Sequence, residues 1–441
     1  MTAISAISER RVVITGLGLI SPLGSTPDAL WAALAAGQSG VREVSLLPAA
    51  RQPLKYGGEA RQFTGEIDDF GPLEKERKKS IKKGLKVMCR ETRMAVAAAQ
   101  LSLGDAGFSE ASPDPERSGV VLGSDYMLTM PEDYELGMKT CSSAGEFDFD
   151  RWGKEGLEDM APLWMLKYLP NMPASHIAIY NDLRGPNNSL TMREAAGNLA
   201  IGEAFRTIQR GHADLMVAGA TGTRILPMQA IHALQTEQMA AENGDPTKAS
   251  RPFDRGRTGM VAGEGSGMVV LEELSSARAR GARIYGEVLG FGSANVSDKK
   301  LKGKCDVALA RAMRAAISDA KSSPADVGHI NAHGLSTIDR DADEARAIRE
   351  VFGTLADRLP VAAPKSYFGN LGAGSGVVEF ISSVLALRNS TLPRVLNFTT
   401  PDPACPVAAV ADDKTPAGGS FLNLSVTPQG QAAVLFVAAA D

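Results

Sequence analysis

Between Ser189 and Ala220 the pattern of apolar positions changes its period twice. Leu199, Ile201, Ala204, Phe205 and Ile208 form an apolar stripe at helical spacing. The small residues Ala195, Ala196, Gly197, Ala200 and Gly202 among them allow close packing, so the stretch predicts a buried helix. Ser189-Leu190-Thr191 before it has the character of a short strand. Arg210-Gly211-His212 after it makes a turn, and Ala213 to Ala220 is an apolar run that suits a buried strand. A strand that turns sharply into a helix presents one side chain near the unpaired N–H groups of the helix start, a place that favours an anion and often holds a nucleophile. Here that residue is Glu194, with Arg193 beside it. Glu194 equally fits a first-turn acidic residue that complements the helix dipole.

The rest of the chain repeats this grammar. Val12-Val13-Ile14 reads as a strand with a turn at Gly16, Gly18 and Pro22, and Asp28 to Ala36 as a helix. Lys75 to Lys86 is a basic run, seven Lys/Arg against one Glu, that continues as an Ala-rich helix to Leu103. Ser118 to Gly123 is a buried strand, 125–159 an irregular insertion, and Ile177 to Tyr180 a strand. Met268 to Glu272 reads as an edge-like strand and opens onto a second αβ series. That series has strands at Tyr285–Phe291 and Gly328–Ala332, helices at Cys305–Ala320, Asp341–Phe352 and Ser375–Leu387, and two closing strands near Phe421–Val426 and Ala432–Ala438. The similar order predicts a duplication, with halves at 1–273 and 274–441.

Composition narrows the classes. A chain of 441 residues is too long for one ordinary core and suits two or three domains or one duplicated unit. A net charge of −4 gives no nucleic-acid footprint. Cys89, Cys141, Cys305 and Cys405 are widely spaced, so neither a metal site nor a disulfide framework is expected, and a reducing cytoplasm is the simplest setting. No apolar leader and no membrane-length run are visible. GLGLIS lacks the third glycine of a dinucleotide fingerprint and carries Ser21-Pro22 where a helix should start, so no cofactor is expected.

Four longer motifs carry a resemblance: RRVVITGLGLISPLG at the start, SRPFDRGRTGMVAGEGSGMVVLEE in the middle, HGLSTIDRDADEARAIREVFG, and PKSYFGNLGAGSG. In this order, over essentially the whole length, the chain resembles the β-ketoacyl-[acyl-carrier-protein] synthases, the condensing enzymes of fatty-acid and polyketide synthesis. The resemblance implies an α/β thiolase-like fold of two duplicated halves in helix–sheet–helix–sheet–helix layers, and a dimer. The family's chemistry uses a cysteine thiolate that carries the acyl chain, two histidines that stabilise the enolate released by decarboxylation, and a lysine and a glutamate that support them. Residue by residue, the lysine falls on Lys365, the glutamate on Glu344 and the first histidine on His333. The cysteine falls on Glu194 and the second histidine on Asn370, two departures. A third is the C-terminal turn, where Asn423-Leu424-Ser425-Val426-Thr427-Pro428-Gln429-Gly430 lacks the family's phenylalanine gate and most of its glycines. A φ-locked Pro428 cannot swing as a glycine gate does.

These departures imply a homologue that handles carrier-bound acyl chains without condensing them, resembling the chain-length-factor type. That type forms a heterodimer with an active ketosynthase; a homodimer is the other arrangement. Two alternatives stand beside it. One is a malonyl-carrier decarboxylase built on His333 and Lys365. The other is an acyl-carrier binding module that docks its acidic carrier on Lys75 to Lys86. If Arg193 or Lys365 reaches Glu194, the pair would form an internal ion pair that plugs the site.

Overall fold

The computed structural model describes residues 10–46, 52–109 and 113–440. The first nine residues, where the sequence predicts no export leader, lie outside that set. Among the described residues no helix is long and apolar enough to cross a membrane.

Eleven strands form one continuous sheet. In chain order they are β1 (Val12–Ile20), β2 (Ser118–Ser124), β3 (Asn187–Thr191), β4 (Leu215–Thr223), β5 (Glu264–Glu273), β6 (Gly286–Asn295), β7 (His329–Asn331), β8 (Pro360–Ala362), β9 (Ala408–Ala409), β10 (Ser420–Val426) and β11 (Gln431–Ala438). The spatial order is β9-β8-β7-β10-β11-β6-β1-β5-β4-β2-β3. Its two wings share one topology. β3-β2-β4-β5-β1 and β8-β7-β10-β11-β6 both read third-second-fourth-fifth-first in their own chain order, with the last two neighbours antiparallel and the rest parallel up to the fourth strand. The wings join through a short antiparallel pairing of Val12–Ile14 with Gly286–Val288. β3 is the outermost strand at its end.

The main helices are α1 (Lys75–Gly84), α2 (Arg90–Asp105), α3 (Met172–Asn181), α4 (Ala196–Gln209), α5 (Pro227–Thr236), α6 (Cys305–Asp319), α7 (Ile338–Phe352) and α8 (Ser375–Asn389). α4 and α8 pack between the wings, which is why α8 is buried on every side from Ser375 to Leu387. The α2 side chains Met94 and Val96 pack on the outer face of the first wing against Val120, Val217 and Val270, and α6 packs on the outer face of the second wing. This is the helix–sheet–helix–sheet–helix thiolase-like arrangement. Each fully buried Val, Ile, Leu or Phe contributes about 1.5–3 kcal/mol, so the central helices are strong anchors for whatever sits at their ends.

Several expected elements change. β1 does not stop at Ile14 but runs nine residues through Gly16 and Gly18. A Cβ on Gly18 would lie 2.1 Å from the Ala98 carbonyl, so this glycine exists to let α2 lie on the strand. The Ile177–Tyr180 run is helical, within α3. Pro173 near its start and Asp182 in a left-handed cap override the β-branched character of the run. Met268–Glu272 is no edge, because β5 lies between β4 and β1. The basic run and the Ala-rich helix are separate, since Met88 and Cys89 are extended between α1 and α2. The 125–159 insertion holds short helical turns and a small hairpin, Ser142–Ser143 against Glu146–Phe147.

Candidate active site

β2, β3 and β4 are parallel neighbours, so their C-terminal ends open on the same edge of the sheet. In such sheets ligands meet the protein at that edge. β2 is followed by Asp125, β3 leads to Glu194 and β4 is followed by Arg224. In the second wing β7 leads to His333 and β8 to Lys365, again from parallel strands. Asn370 is held by a bridge to Ala262, in which Asn370 N–H donates to Val261 O and Gly263 N–H to Asn370 O, each at 2.8 Å.

The turn from β3 into α4 is tight. Arg193 has φ of 49°, a left-handed conformation that a non-glycine residue adopts only under constraint. It places Glu194, 3 % exposed, just before the N-terminus of α4. There Glu194 Oε1 accepts from Arg224 Nη2 at 2.7 Å and from Asn370 Nδ2 at 3.2 Å, while Oε2 lies 3.4 Å from Arg193 Nε. Arg224 is fully buried, and the same Nη2 lies 2.7 Å from Asp125 Oδ2. Its Nη1 donates to Tyr126 Oη at 2.6 Å, and Tyr126 Oη lies 2.5 Å from His232 Nδ1 on α5. Arg193 also pairs with Glu237, just past the end of α5.

Burial alone would raise the Glu194 carboxyl, but the guanidiniums of Arg224 and Arg193 outweigh it and hold the group well below the usual carboxylate range. Both guanidiniums favour the ionised form of Glu194. Asp125 shifts the other way: burial and the Glu194 charge raise it, and the opposing pull of Arg224, Arg193 and the Tyr126 N–H does not overcome them. Arg193 acts on both carboxylates but pairs closely with Glu194, its Nε 3.4 Å from Oε2. Arg193 thus makes the contact the sequence allowed for, and Lys365 does not. Lys365 Nζ lies 2.5 Å from Glu379 Oε1 and donates to His333 O at 2.7 Å and His333 Nδ1 at 3.3 Å.

That last bond fixes the His333 tautomer. Nδ1 accepts from the ammonium, so the ring proton sits on Nε2. Burial and the Lys365 charge lower the His333 pKa, which keeps the ring neutral. Glu344 supports the same turn: one oxygen accepts from His333 N–H at 2.6 Å, the other from Gly334 N–H at 2.8 Å. Burial pushes Glu344 up to about 7. Asn370 is held at both ends, its Oδ1 accepting from Gly372 N–H and Ser375 Oγ at 3.1 Å each while Nδ2 reaches Glu194. The five residues expected from sequence therefore lie at one place. His333, Lys365 and Glu344 form one contact chain, and Glu194 with Asn370 forms another.

The glycine- and arginine-rich stretch before β5 is a clamp on this site. Arg257 donates to Thr337 O and Ile338 O at 2.9 Å each, and Asp341 Oδ2 accepts from Phe253 N–H at 2.9 Å. Those contacts hold the turn that carries His333. The C-terminal turn after β10 is closed by Thr427 N–H to Gln431 O at 2.8 Å and Gly430 N–H to Thr427 O at 3.0 Å, and Arg340 Nη2 donates to Pro428 O at 3.3 Å. All four cysteines are buried free thiols. Burial raises the thiols of Cys89, Cys305 and Cys405, the last to about 12, the wrong direction for a nucleophile.

Sequence reasoning missed Asp125, Tyr126, Arg224 and His232. One signal was available: Asp125 and Arg224 each stand as a lone charge directly after a buried glycine-containing strand.

The chain matches known proteins over most of its length. The sequence model of the β-ketoacyl synthase N-terminal domain matches residues 9–277 and that of the β-ketoacyl synthase C-terminal domain residues 285–399. It is 34% identical to 3-oxoacyl-[acyl-carrier-protein] synthase 2 of Synechocystis sp., over 90% of each chain. To the protein of the same name from Coxiella burnetii it is 34% identical, over 92% of this chain and 93% of that one. Among solved structures, a β-ketoacyl synthase from Burkholderia phymatum superposes with a TM-score of 0.84 at 28% identity, over 98% of this chain and all of the other. The ishigamide ketosynthase/chain length factor superposes at 0.82 and 27%, with the same coverage. A ketosynthase from a type II polyketide system, in complex with its acyl-carrier protein, gives 0.79 at 25%, also over 98% of this chain and all of that one. The protein belongs to the β-ketoacyl synthase family.

Proposed function

We propose that this protein is a non-condensing β-ketoacyl synthase homologue, a partner subunit in the synthesis of carrier-bound fatty-acid or polyketide-like chains. One observation carries the reading: the elbow where the family places its thiolate holds Glu194, fixed as an anion by Arg224 and Arg193. A carboxylate there gives at most an anhydride, which hydrolyses and stores no chain. Asn370 is a poor replacement for an imidazole, because its Nδ2 is engaged by Glu194 Oε1 and by Met260 Sδ at 2.9 Å.

The surface fits partners of the expected kinds. β3 ends the sheet with Asn187, Asn188 and Thr191 exposed, and Ile179 and Met192 lie exposed nearby in the chain. An open strand edge beside apolar side chains is a place where a second chain continues the sheet. We assign the dimer contact to it, the partner being an active ketosynthase, with a homodimer as the alternative arrangement. On α1 the side chains of Lys75, Lys78, Lys79, Lys82 and Lys83 are exposed and Ile81 anchors the helix beneath them. This patch suits an acidic carrier protein. The setting is the cytoplasm.

A second reading keeps one supporting observation. His333 offers Nε2–H as a donor, as malonyl-carrier decarboxylation would need. The anionic Glu194 opposes the malonate carboxylate. The test joins both: the purified protein is mixed with an active ketosynthase and, separately, with malonyl-carrier protein. A heterodimer in sedimentation with no carbon dioxide release is the expected result. Carbon dioxide release that falls in His333→Ala would replace the subunit reading by the decarboxylase. Failure of both, with binding to carrier retained, would leave the binding module.

A further inference from the structure

We propose that Asp125, Arg224 and Glu194 form a built-in charged plug that fills the space beside the elbow and excludes an acyl chain from this subunit's own site; the inference rests on the non-condensing reading and extends it. Three residues from the ends of three adjacent parallel strands converge on one guanidinium nitrogen, at 2.7 Å from each carboxylate. The cluster is sealed. Arg224 is fully buried, Glu194 and Asp125 are 3 % and 4 % exposed, and the Tyr126 ring lies over the guanidinium, 5.4 Å from its carbon to the ring centroid.

Such a cluster is incompatible with a hydrocarbon chain. An apolar chain lying against Arg224 would have to separate charges that have no water to turn to, and breaking a buried ion pair is costly. The carboxylate also takes the Asn370 Nδ2 donor that faces the elbow. Glu194 is thus an internal ligand of its own site, and Arg224 is the positioning residue that holds it there. Any chain the protein helps to shape lies outside this pocket.

The plug predicts that the pocket can be opened. Asp125→Ala/Arg224→Ala/Glu194→Ala removes all three charges together and leaves an apolar hollow. Asp125→Leu/Arg224→Met/Glu194→Met removes the same charges and refills the volume. Decanoate binding by calorimetry separates them. The wild type and the refilled variant show no saturable site up to the solubility limit of decanoate, and the opened variant gains one. A saturable decanoate site in the wild type that is lost in the refilled variant would overturn the plug, as would an opened variant that folds by circular dichroism and gains nothing. If the opened variant does not fold, the wild type decides. The Arg224 Nε–H resonance, assigned by its loss in Arg224→Lys, stays in place under saturating decanoyl-carrier protein if the plug holds and shifts if the chain enters. A covalent decanoyl adduct on the wild type would be a different result, refuting the non-condensing reading itself.

Discussion

Arg224 decides the charge state of the site, because one nitrogen serves two carboxylates. Arg224→Met leaves Asp125 and Glu194 facing each other with only Arg193 to offset them. We expect it to lower unfolding stability by about 3–5 kcal/mol in denaturant titration. Its pH dependence has a definite sign. In the wild type Glu194 is depressed below its ordinary 4.5, so its contribution is present above that pH and is lost on acidification. Without Arg224, burial and the mutual repulsion of the two carboxylates raise both groups, with Arg193, Glu237 and neutral His333 as the other ionisable neighbours. The difference in stability between variant and wild type therefore narrows as the pH falls from 8 to 5. A difference that widens over that range would mean Arg224 does not hold Glu194 ionised. Glu344 behaves in the opposite sense to wild-type Glu194. Its carboxyl is raised from 4.5 to about 7, so the stability it contributes is present below 4.5 and declines as pH rises to about 7. Glu344→Gln flattens that part of the stability–pH curve, which thermal unfolding across the range measures.

At the scale of elements, the strand–turn–helix around Glu194 was legible because its signals are local: a short strand, small residues, then a 3.6-residue period. His333, Lys365 and Glu344 were legible for the same reason, each lying inside a contiguous motif. Arg224 and Asp125 were not, because the contact joins residues 99 apart in the chain, brought together only by the pairing of β2 with β4. The Ile177–Tyr180 run reads as a strand in the sequence but lies inside the Met172–Asn181 helix, because a short apolar run fits both periods and the Pro near the helix start decides the matter. Close packing at the centre gives a test. A Cβ on Gly202 would lie 2.3 Å from the Phe291 ring, so Gly202→Ala forces α4 away from β6. We expect a loss of about 1–3 kcal/mol in denaturant unfolding. On α1, Lys78→Glu/Lys79→Glu/Lys82→Glu/Lys83→Glu should weaken carrier binding at least tenfold at low salt in calorimetry, with little effect on Tm, because these side chains are exposed. Unchanged affinity would move the docking surface elsewhere.

For the whole molecule, the repeated strand order explains how one site draws on both wings. Glu194, Asp125 and Arg224 come from the strand ends of the first, and His333 and Lys365 from the second. The duplication was visible in the order of elements, whereas the joining of both wings into one sheet through Val12–Ile14 was not, because three paired residues leave no periodic trace. The fold keeps the scaffold of the β-ketoacyl synthase family, and the proposed reading is that Glu194 stands where condensation needs a thiolate. Intact-mass analysis of the purified protein after incubation with acyl- and malonyl-carrier protein tests that claim most directly. The expected result is an unchanged protein mass with every acyl group still on its carrier. A stable acyl adduct on the protein would contradict it, placing a working nucleophile in a site built around Glu194.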